Sequence, residues 1–175
     1  MSTARYRIWI AGQGGQGCSF LSQLICQAAY LDGLHVSARN DMQWAIRGGQ
    51  TVSWVFLNDT PFSPAAQQDF NWVLLLHPTA RADLPPLAPE ACILDAYALK
   101  LYEHANALGF AQGLNMLLLG LFLACSHACR TDAVIWQLRQ ILGKEQVSVL
   151  PYNLALLEQG LELAQPAAND PEPTV

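Results

Sequence analysis

The residues Tyr6-Arg7-Ile8-Trp9-Ile10-Ala11-Gly12-Gln13-Gly14-Gly15-Gln16-Gly17 carry the strongest fold signal in this chain, and helix-compatible residues follow from Cys18. The first half of this stretch is apolar enough for a buried strand, and its second half is a glycine-rich turn in front of a helix. Glycine tolerates backbone conformations that a Cβ disfavours, so such a turn can leave N–H groups of the helix N-terminus free. Because the helix dipole is positive at this end, we expect the turn to bind an anion, most simply a phosphate.

Outward from this stretch, strand and helix patterns alternate and then give way to helices. The patterns predict strands over 5–11, 34–38, 51–57, 71–76 and 92–95. They predict helices over 16–31, 97–107, 113–128, 131–142 and 152–164. The first strand, its helix and the second strand are expected to form a parallel, right-handed crossover unit.

This order of elements predicts an α/β fold: an open, mostly parallel, Rossmann-like sheet flanked by helices, in one domain with a helical C-terminal part. We expect the domain to cover residues 1–165 and the proline-rich residues 166–175 to form a flexible tail. The polar segment 39–50 predicts a loop. Ligands of such sheets bind at the carboxyl ends of the strands, so the Gly12–Gly17 turn and this loop are expected to face one another.

The amino-acid composition indicates which classes of partner this chain can bind. Apolar residues make up 52% of the chain and charged residues only 13%, so we expect part of the apolar surface to meet partner subunits, or a second copy in a homodimer when the chain is isolated. The net charge of −5 and the lack of a basic cluster argue against nucleic acid. The apolar run Leu114–Cys129 is too short to span a membrane and predicts a buried core helix. With no secretory signal pattern at the N-terminus, the expected location is the cytoplasm.

Cysteine and histidine patterns do not indicate catalysis or metal binding. The five cysteines are irregularly spaced and are expected to be free thiols in the core. Cys125, His127 and Cys129 do not share one helix face, so a metal site there is not favoured. Since the chain also lacks the G-x-S-x-G and H-E-x-x-H motifs, we expect no complete active site and no catalytic residue.

Gly12, Gly14 and Gly17 fit the dinucleotide fingerprint G-x-G-x-x-G in its proper strand, turn and helix context. That fingerprint also expects an acidic residue at the end of the second strand, where this chain has Ala38 and Arg39. NAD is therefore disfavoured, while Arg39 keeps a 2′-phosphate, and hence NADP, as an alternative. A further alternative is that the glycines only let the helix pack close to the sheet.

Arg47-Gly48-Gly49 is the second informative motif, because a cation beside two permissive residues can clamp an anion. Trp44 and Met42 lie close to it in sequence and could line a ligand or anchor the loop. The predicted binding residues are Gly12, Gln13, Gly14, Gly15, Gln16, Gly17, Arg47, Gly48 and Gly49.

Several segments together resemble the gamma subunit or domain of 2-oxoacid:ferredoxin (acceptor) oxidoreductases, the family of the pyruvate, 2-ketoisovalerate, 2-oxoglutarate and indolepyruvate enzymes. These segments are Ile10–Gly17, Leu21–Ala29, Arg47–Ser53, Asn115–Gly120 and Tyr152–Gly160. They occur in order over nearly the whole chain.

The resemblance implies a component that is not catalytic alone, in a complex that oxidatively decarboxylates a 2-oxoacid to an acyl-CoA and passes electrons to ferredoxin. It places thiamine diphosphate, magnesium and iron–sulfur clusters in partner subunits and implies a role for the gamma part where coenzyme A is received. Two alternatives of other classes remain at this point. One is a stand-alone module that binds NADP or a flavin nucleotide, and the other is a structural or assembly protein without a ligand.

Overall fold

A computed structural model describes residues 4–42, 49–145 and 147–164 of the chain. The described residues form the strands β1 (Tyr6–Gln13), β2 (His35–Met42), β3 (Gln50–Asn58), β4 (Phe70–Leu75) and β5 (Leu87–Asp95). They form the helices α1 (Cys18–Leu31), α2 (Leu101–Ala107), α3 (Leu114–Ser126), α4 (Thr131–Glu145) and α5 (Leu150–Leu163). Short 3₁₀ turns lie at Pro64–Ala66, Pro78–Asp83 and Ala111–Gly113. The predicted tail over 166–175 lies outside the described residues.

The strands form one mixed sheet in the order β2-β3-β1-β4-β5. β1, β2, β4 and β5 run in one direction, and β3 runs in the opposite direction between β2 and β1. The predicted class, a mostly parallel α/β sheet in one domain, is therefore confirmed. The predicted parallel crossover is confirmed in its strand direction, because β1 and β2, which α1 connects, run parallel to each other. The two strands are not neighbours, since β3 lies between them. Only residues 43–49 separate β2 from β3, too few for a parallel crossover, so β3 returns antiparallel and takes the place beside β1.

Two element boundaries also differ from the sequence prediction. The predicted loop over 39–50 begins later, since Arg39, Asn40 and Asp41 continue β2 and pair with β3. β2 is an edge strand that tolerates polar residues, and the Arg39 guanidinium carbon lies 5.2 Å from the Trp54 ring centre. β5 begins at Leu87, before the predicted Cys92, and includes Pro89, which an edge strand accommodates.

The two faces of the sheet are covered differently. One face, with Ile8 of β1 and Leu74 of β4, forms the larger core together with residues from all five helices. The other face, with Trp9 and Val73, is covered by connecting segments that contribute Phe62 and Leu84. The described helices therefore lie on one side of the sheet.

Helix α3 is the buried core helix that the apolar run predicts, and its residues Leu114–Leu123 are buried. It crosses α5 where Gly120 and Gly160 meet backbone to backbone: a Cβ on Gly120 would contact the Leu157 carbonyl oxygen, and one on Gly160 would contact that of Leu117. None of the described helices has the length and apolarity to cross a bilayer.

All five cysteines are free thiols. Cys18 and Cys129 are buried and Cys26 and Cys92 are half-buried, but Cys125 is exposed, so its predicted core position is wrong. Cys125 lies in the last turn of α3, beyond the fully buried part of that helix.

Candidate functional site

The glycine turn lies at the topological switch point of the sheet. From β1 the chain continues through α1 to β2 and β3 on one side, whereas from β4 it continues to β5 on the other. Crevices at such points are where open α/β sheets bind ligands. A cavity of about 640 Å³ occupies this position, lined by Gly15, Gln16, Leu76, Tyr97, Tyr102, Asn106, Gln112 and Leu114. We call it the switch-point cavity.

Internal hydrogen bonds shape the turn. The Gln16 side-chain oxygen accepts the Gln13 N–H at 2.7 Å, and the Gln13 carbonyl accepts the Gln16 N–H at 3.1 Å. The Gly14 N–H donates to the Gly49 carbonyl at 2.9 Å. Fewer N–H groups are therefore free than the sequence pattern alone implies. Those of Gly15 and Gly17 have no acceptor within the described part of the chain.

The glycines of the turn are needed for conformation and packing. Gly15 and Gly17 have φ values of 91° and 85°, in the left-handed region that side chains disfavour. A Cβ on Gly12 would lie 2.9 Å from Leu76 Cβ and 3.1 Å from Cys18 Sγ. Gly17 is the N-cap of α1 and has no side-chain capping bond, although the Asn115 amide nitrogen lies close beside it.

The second predicted motif lies partly outside the described residues. Arg47 and Gly48 belong to the segment 43–48, as does Trp44, and their role stays a prediction. Gly49 is described, and its hydrogen bond to Gly14 holds the end of the loop against the glycine turn. Arg39, the alternative partner for a 2′-phosphate, lies on edge strand β2 against Trp54 and does not line the switch-point cavity.

Sequence reasoning missed the aromatic wall of the switch-point cavity. The rings of Tyr97 and Tyr102 stack with their centres 5.6 Å apart, and the Tyr97 ring meets the His77 ring edge-on at 5.8 Å. The two tyrosines are 37% and 38% exposed. Tyr97 follows the end of β5, so the rule that ligands gather at the carboxyl ends of strands could have identified it.

Asp95 holds this aromatic wall in place. It is buried at the end of β5, and one of its oxygens accepts the N–H groups of Tyr97 at 3.0 Å and Ala98 at 3.1 Å. Its other oxygen binds the Arg81 guanidinium at 2.9 Å. The turn that carries Tyr97 therefore has a fixed conformation next to the cavity.

A second cavity, of about 450 Å³, shares Gly15 with the switch-point cavity and is lined by Gly17 as well. Asn115 and Asn153 both line it, although they come from different helices. The Asn115 oxygen accepts the Met116 N–H at 2.9 Å, and the Asn153 amide nitrogen donates to the Val149 carbonyl at 2.8 Å. Two segments that carry the family resemblance thus meet beside the glycine turn.

The first residue of α1 does not supply a reactive thiolate. A helix N-terminus normally lowers a cysteine pKa, but burial raises the pKa of the Cys18 thiol to about 12, against the smaller lowering effect of a backbone hydrogen bond. Cys18 therefore remains a protonated core residue at neutral pH. No group of three or more His, Cys, Asp or Glu residues in the described ranges is arranged to hold a metal ion.

The sheet and the turn at its switch point define a Rossmann-like α/β domain. The sequence matches the family model of pyruvate ferredoxin/flavodoxin oxidoreductase over residues 7–163, and the chain belongs to this family. The resemblance drawn from the sequence is thereby confirmed. A search of curated proteins found no match.

Solved structures share the fold. The chain resembles 2-oxoglutarate:ferredoxin oxidoreductase from Magnetococcus marinus, a structure with 2-oxoglutarate, coenzyme A and succinyl-CoA bound, at 19% identity and a TM-score of 0.77. That match covers 98% of this chain but 33% of the other, so the chain spans about a third of the length of that protein.

Two shorter proteins match over almost their whole length. The gamma subunit of a keto/oxoacid ferredoxin oxidoreductase from Geobacter sulfurreducens has 20% identity and a TM-score of 0.63, with 91% of this chain and 98% of that one covered. A pyruvate oxidoreductase subunit from Thermotoga maritima has 17% identity and a TM-score of 0.69, with 91% and 97% covered.

Proposed function

We propose that this chain is a gamma-type subunit of a thiamine-dependent 2-oxoacid:ferredoxin oxidoreductase. The complex oxidatively decarboxylates a 2-oxoacid to an acyl-CoA and passes the electrons to ferredoxin. The observation that carries the proposal is the family match over residues 7–163. The near-complete coverage of a separate gamma subunit, 98% of its length, supports a gamma-type fold.

In this proposal the chain has no complete active site of its own. Partner subunits hold thiamine diphosphate, magnesium and the iron–sulfur clusters, as the family resemblance implies. The chain contributes a rigid α/β domain whose carboxyl edge faces the partner and forms one wall of a shared ligand site.

We further propose that the Gly12–Gly17 turn and the Arg47 loop receive a phosphate of coenzyme A. The N–H groups of Gly15 and Gly17, for which the described residues offer no acceptor, and the N-terminus of α1, which has no side-chain capping bond there, favour an anion at this place. The hydrogen bond from Gly14 to Gly49 supports a position of the loop next to the turn. An arginine there suits a phosphate, because its guanidinium binds oxyanions in a bidentate geometry.

Hydrogen exchange of the assembled complex tests this assignment. We expect coenzyme A to slow amide exchange in the turn and in the loop that contains Arg47, and Arg47→Gln to weaken that protection. Pantetheine, which lacks the nucleotide phosphates, is the control ligand and should leave the turn unprotected. Equal exchange with and without coenzyme A in both segments would refute the assignment.

A stand-alone module for NADP or a flavin nucleotide is the second candidate, favoured by the position of the glycine turn at the switch point. Equilibrium dialysis of the isolated chain distinguishes a gamma-type subunit from a stand-alone nucleotide-binding module. A gamma-type subunit should bind these nucleotides weakly when alone, whereas a stand-alone module should bind one equivalent tightly without partners. No binding of any nucleotide, alone or in the complex, would favour the ligand-free structural protein.

A further inference from the structure

The lining of the switch-point cavity has an unusual chemistry for a site next to an anion-binding turn. Its described residues include no charged side chain. They offer instead the stacked pair Tyr97 and Tyr102, with two apolar residues, Leu76 and Leu114, and the carboxamides of Gln16, Asn106 and Gln112. Such walls suit a planar, uncharged group with hydrogen-bonding edges.

We propose that the switch-point cavity binds the adenine ring of a nucleotide whose phosphate lies on the Gly15–Gly17 N–H groups. The proposal rests on the proposed function only for the identity of the whole ligand, since an adenine ring is common to coenzyme A, NADP and flavin adenine dinucleotide.

Stacking is the first reason. The exposed surface of the two tyrosine rings is contiguous with the cavity, and the edge-on contact of His77 with Tyr97 helps to fix the plane of that ring. Asp95 fixes the backbone that carries Tyr97 through two hydrogen bonds. A preordered aromatic surface binds a nucleobase face at a low entropy cost.

The carboxamides are the second reason, and they favour adenine over guanine. The adenine edge presents an amino donor beside a ring-nitrogen acceptor, which matches the acceptor and donor of one Asn or Gln side chain. Guanine presents two acceptors on that edge and is usually read by Arg or Lys, which the described lining lacks. Neither Asn106 nor Gln112 makes a side-chain hydrogen bond with the other described residues, so both are available.

Size and position are the third reason. The volume of about 640 Å³ lies within the usual range of ligand pockets, about 300–1,000 Å³. Gly15 lines this cavity and also the second cavity beside the helix N-terminus. A nucleotide with its base against the tyrosines would then extend past Gly15, the residue of the turn that lines both cavities.

Ligand-observed NMR titration of the full chain with AMP, IMP and GMP tests the proposal. IMP differs from AMP by an oxygen in place of the amino group, so we expect AMP to bind about tenfold more tightly than IMP or GMP. Tyr97→Leu with Tyr102→Leu should weaken AMP about tenfold, whereas the Phe variants of both positions should bind nearly as well as the wild type. Tyr30→Leu, at an exposed tyrosine on α1, is the matched control and should change nothing.

The carboxamide variants and two further ligands complete the test. Asn106→Leu with Gln112→Leu should remove the preference for AMP over IMP. Separate titrations with coenzyme A and with NADP identify which ligand supplies the adenine ring.

Equal affinities for AMP and IMP in the wild type would overturn the proposal. Unchanged AMP binding in the folded Leu variants would also overturn the proposal. The contradiction would be clearest if those variants had lost only their association with catalytic subunits. Failure of the chain to assemble with such subunits would instead refute the proposed function and leave the AMP preference intact.

Discussion

Gly17 is the residue on which the shape of the candidate site depends most directly. It caps α1 in the left-handed region with a φ of 85°, and a Cβ there would collide with the Asn115 amide nitrogen. The strand, the glycine turn and the helix could be predicted from the sequence, because they follow one another locally, whereas the binding role of the Gly12–Gly17 turn stays a prediction. Sequence reasoning could not identify the contact with Asn115, which comes from a helix nearly a hundred residues later, nor the stacking of Tyr102 on Tyr97, although the place of Tyr97 after β5 was open to it.

Replacement of Gly17 by alanine should destabilise the fold more than replacement of Gly33. Both glycines have a positive φ, so each alanine costs about 1–2 kcal/mol for the left-handed conformation. Gly33 has nothing within 4 Å of the added methyl group, whereas Gly17 adds overpacking against Asn115, worth roughly 1–3 kcal/mol more. Urea unfolding of the two variants measures the difference, and an equal loss in both would contradict this account of the turn.

The buried thiol of Cys18 predicts a loss of stability at alkaline pH. Burial raises its pKa from 9.0 to about 12, so the folded state holds the proton more tightly than the unfolded state. The resulting stabilisation is complete below pH 9 and is lost as the pH rises from 9 towards 12. Urea unfolding from pH 7 to pH 11 should show a steeper decline for the wild type than for Cys18→Ala. An equal decline of the free energy of unfolding in the wild type and in Cys18→Ala would contradict a raised pKa of the Cys18 thiol.

At the level of elements, helices α3 and α5 pack against each other in the larger core, and this packing brings Asn115 and Asn153 to the same cavity. Gly120 and Gly160 allow this approach, because either Cβ would contact a backbone carbonyl oxygen of the other helix. The helices, β1 and the central strand β4 were predictable from periodicity and apolar runs, which are strong where an element is buried. The extent of edge strands β2 and β5 was not, because their polar residues and prolines resemble loops.

Gly120→Ala should therefore separate α3 from α5 and lower the free energy of unfolding by at least about 1–3 kcal/mol, the typical cost of overpacking a core. Gly143→Ala is the matched control: it also lies in a helix, but nothing lies within 4 Å of an added methyl group. The free energy of unfolding of this control variant should rise by up to about 1 kcal/mol, because alanine has a higher helix propensity than glycine. Thermal unfolding of both variants measures the change in stability that each substitution causes. An unchanged stability of Gly120→Ala would show that α3 and α5 do not cross as closely as described.

At the scale of the whole molecule, exposed apolar side chains support the expectation of partner subunits. Tyr30 is 70% exposed and Trp136 is 51% exposed, and both belong to helices on the same side of the sheet. Composition alone predicted such a surface, since 13% charged residues cannot cover a domain of this size. It could not say where the surface lies, because exposure depends on which helix faces pack against the sheet.

Purification of the tagged chain from its native cells, followed by mass spectrometry of the intact assembly, tests whether the chain is a subunit of a 2-oxoacid oxidoreductase. We expect a stable complex of this chain with subunits that hold thiamine diphosphate and iron–sulfur clusters, and we expect this complex to reduce ferredoxin when given a 2-oxoacid and coenzyme A. A chain that purifies alone, with one tightly bound NADP or flavin nucleotide and no such partners, would contradict the proposed subunit role.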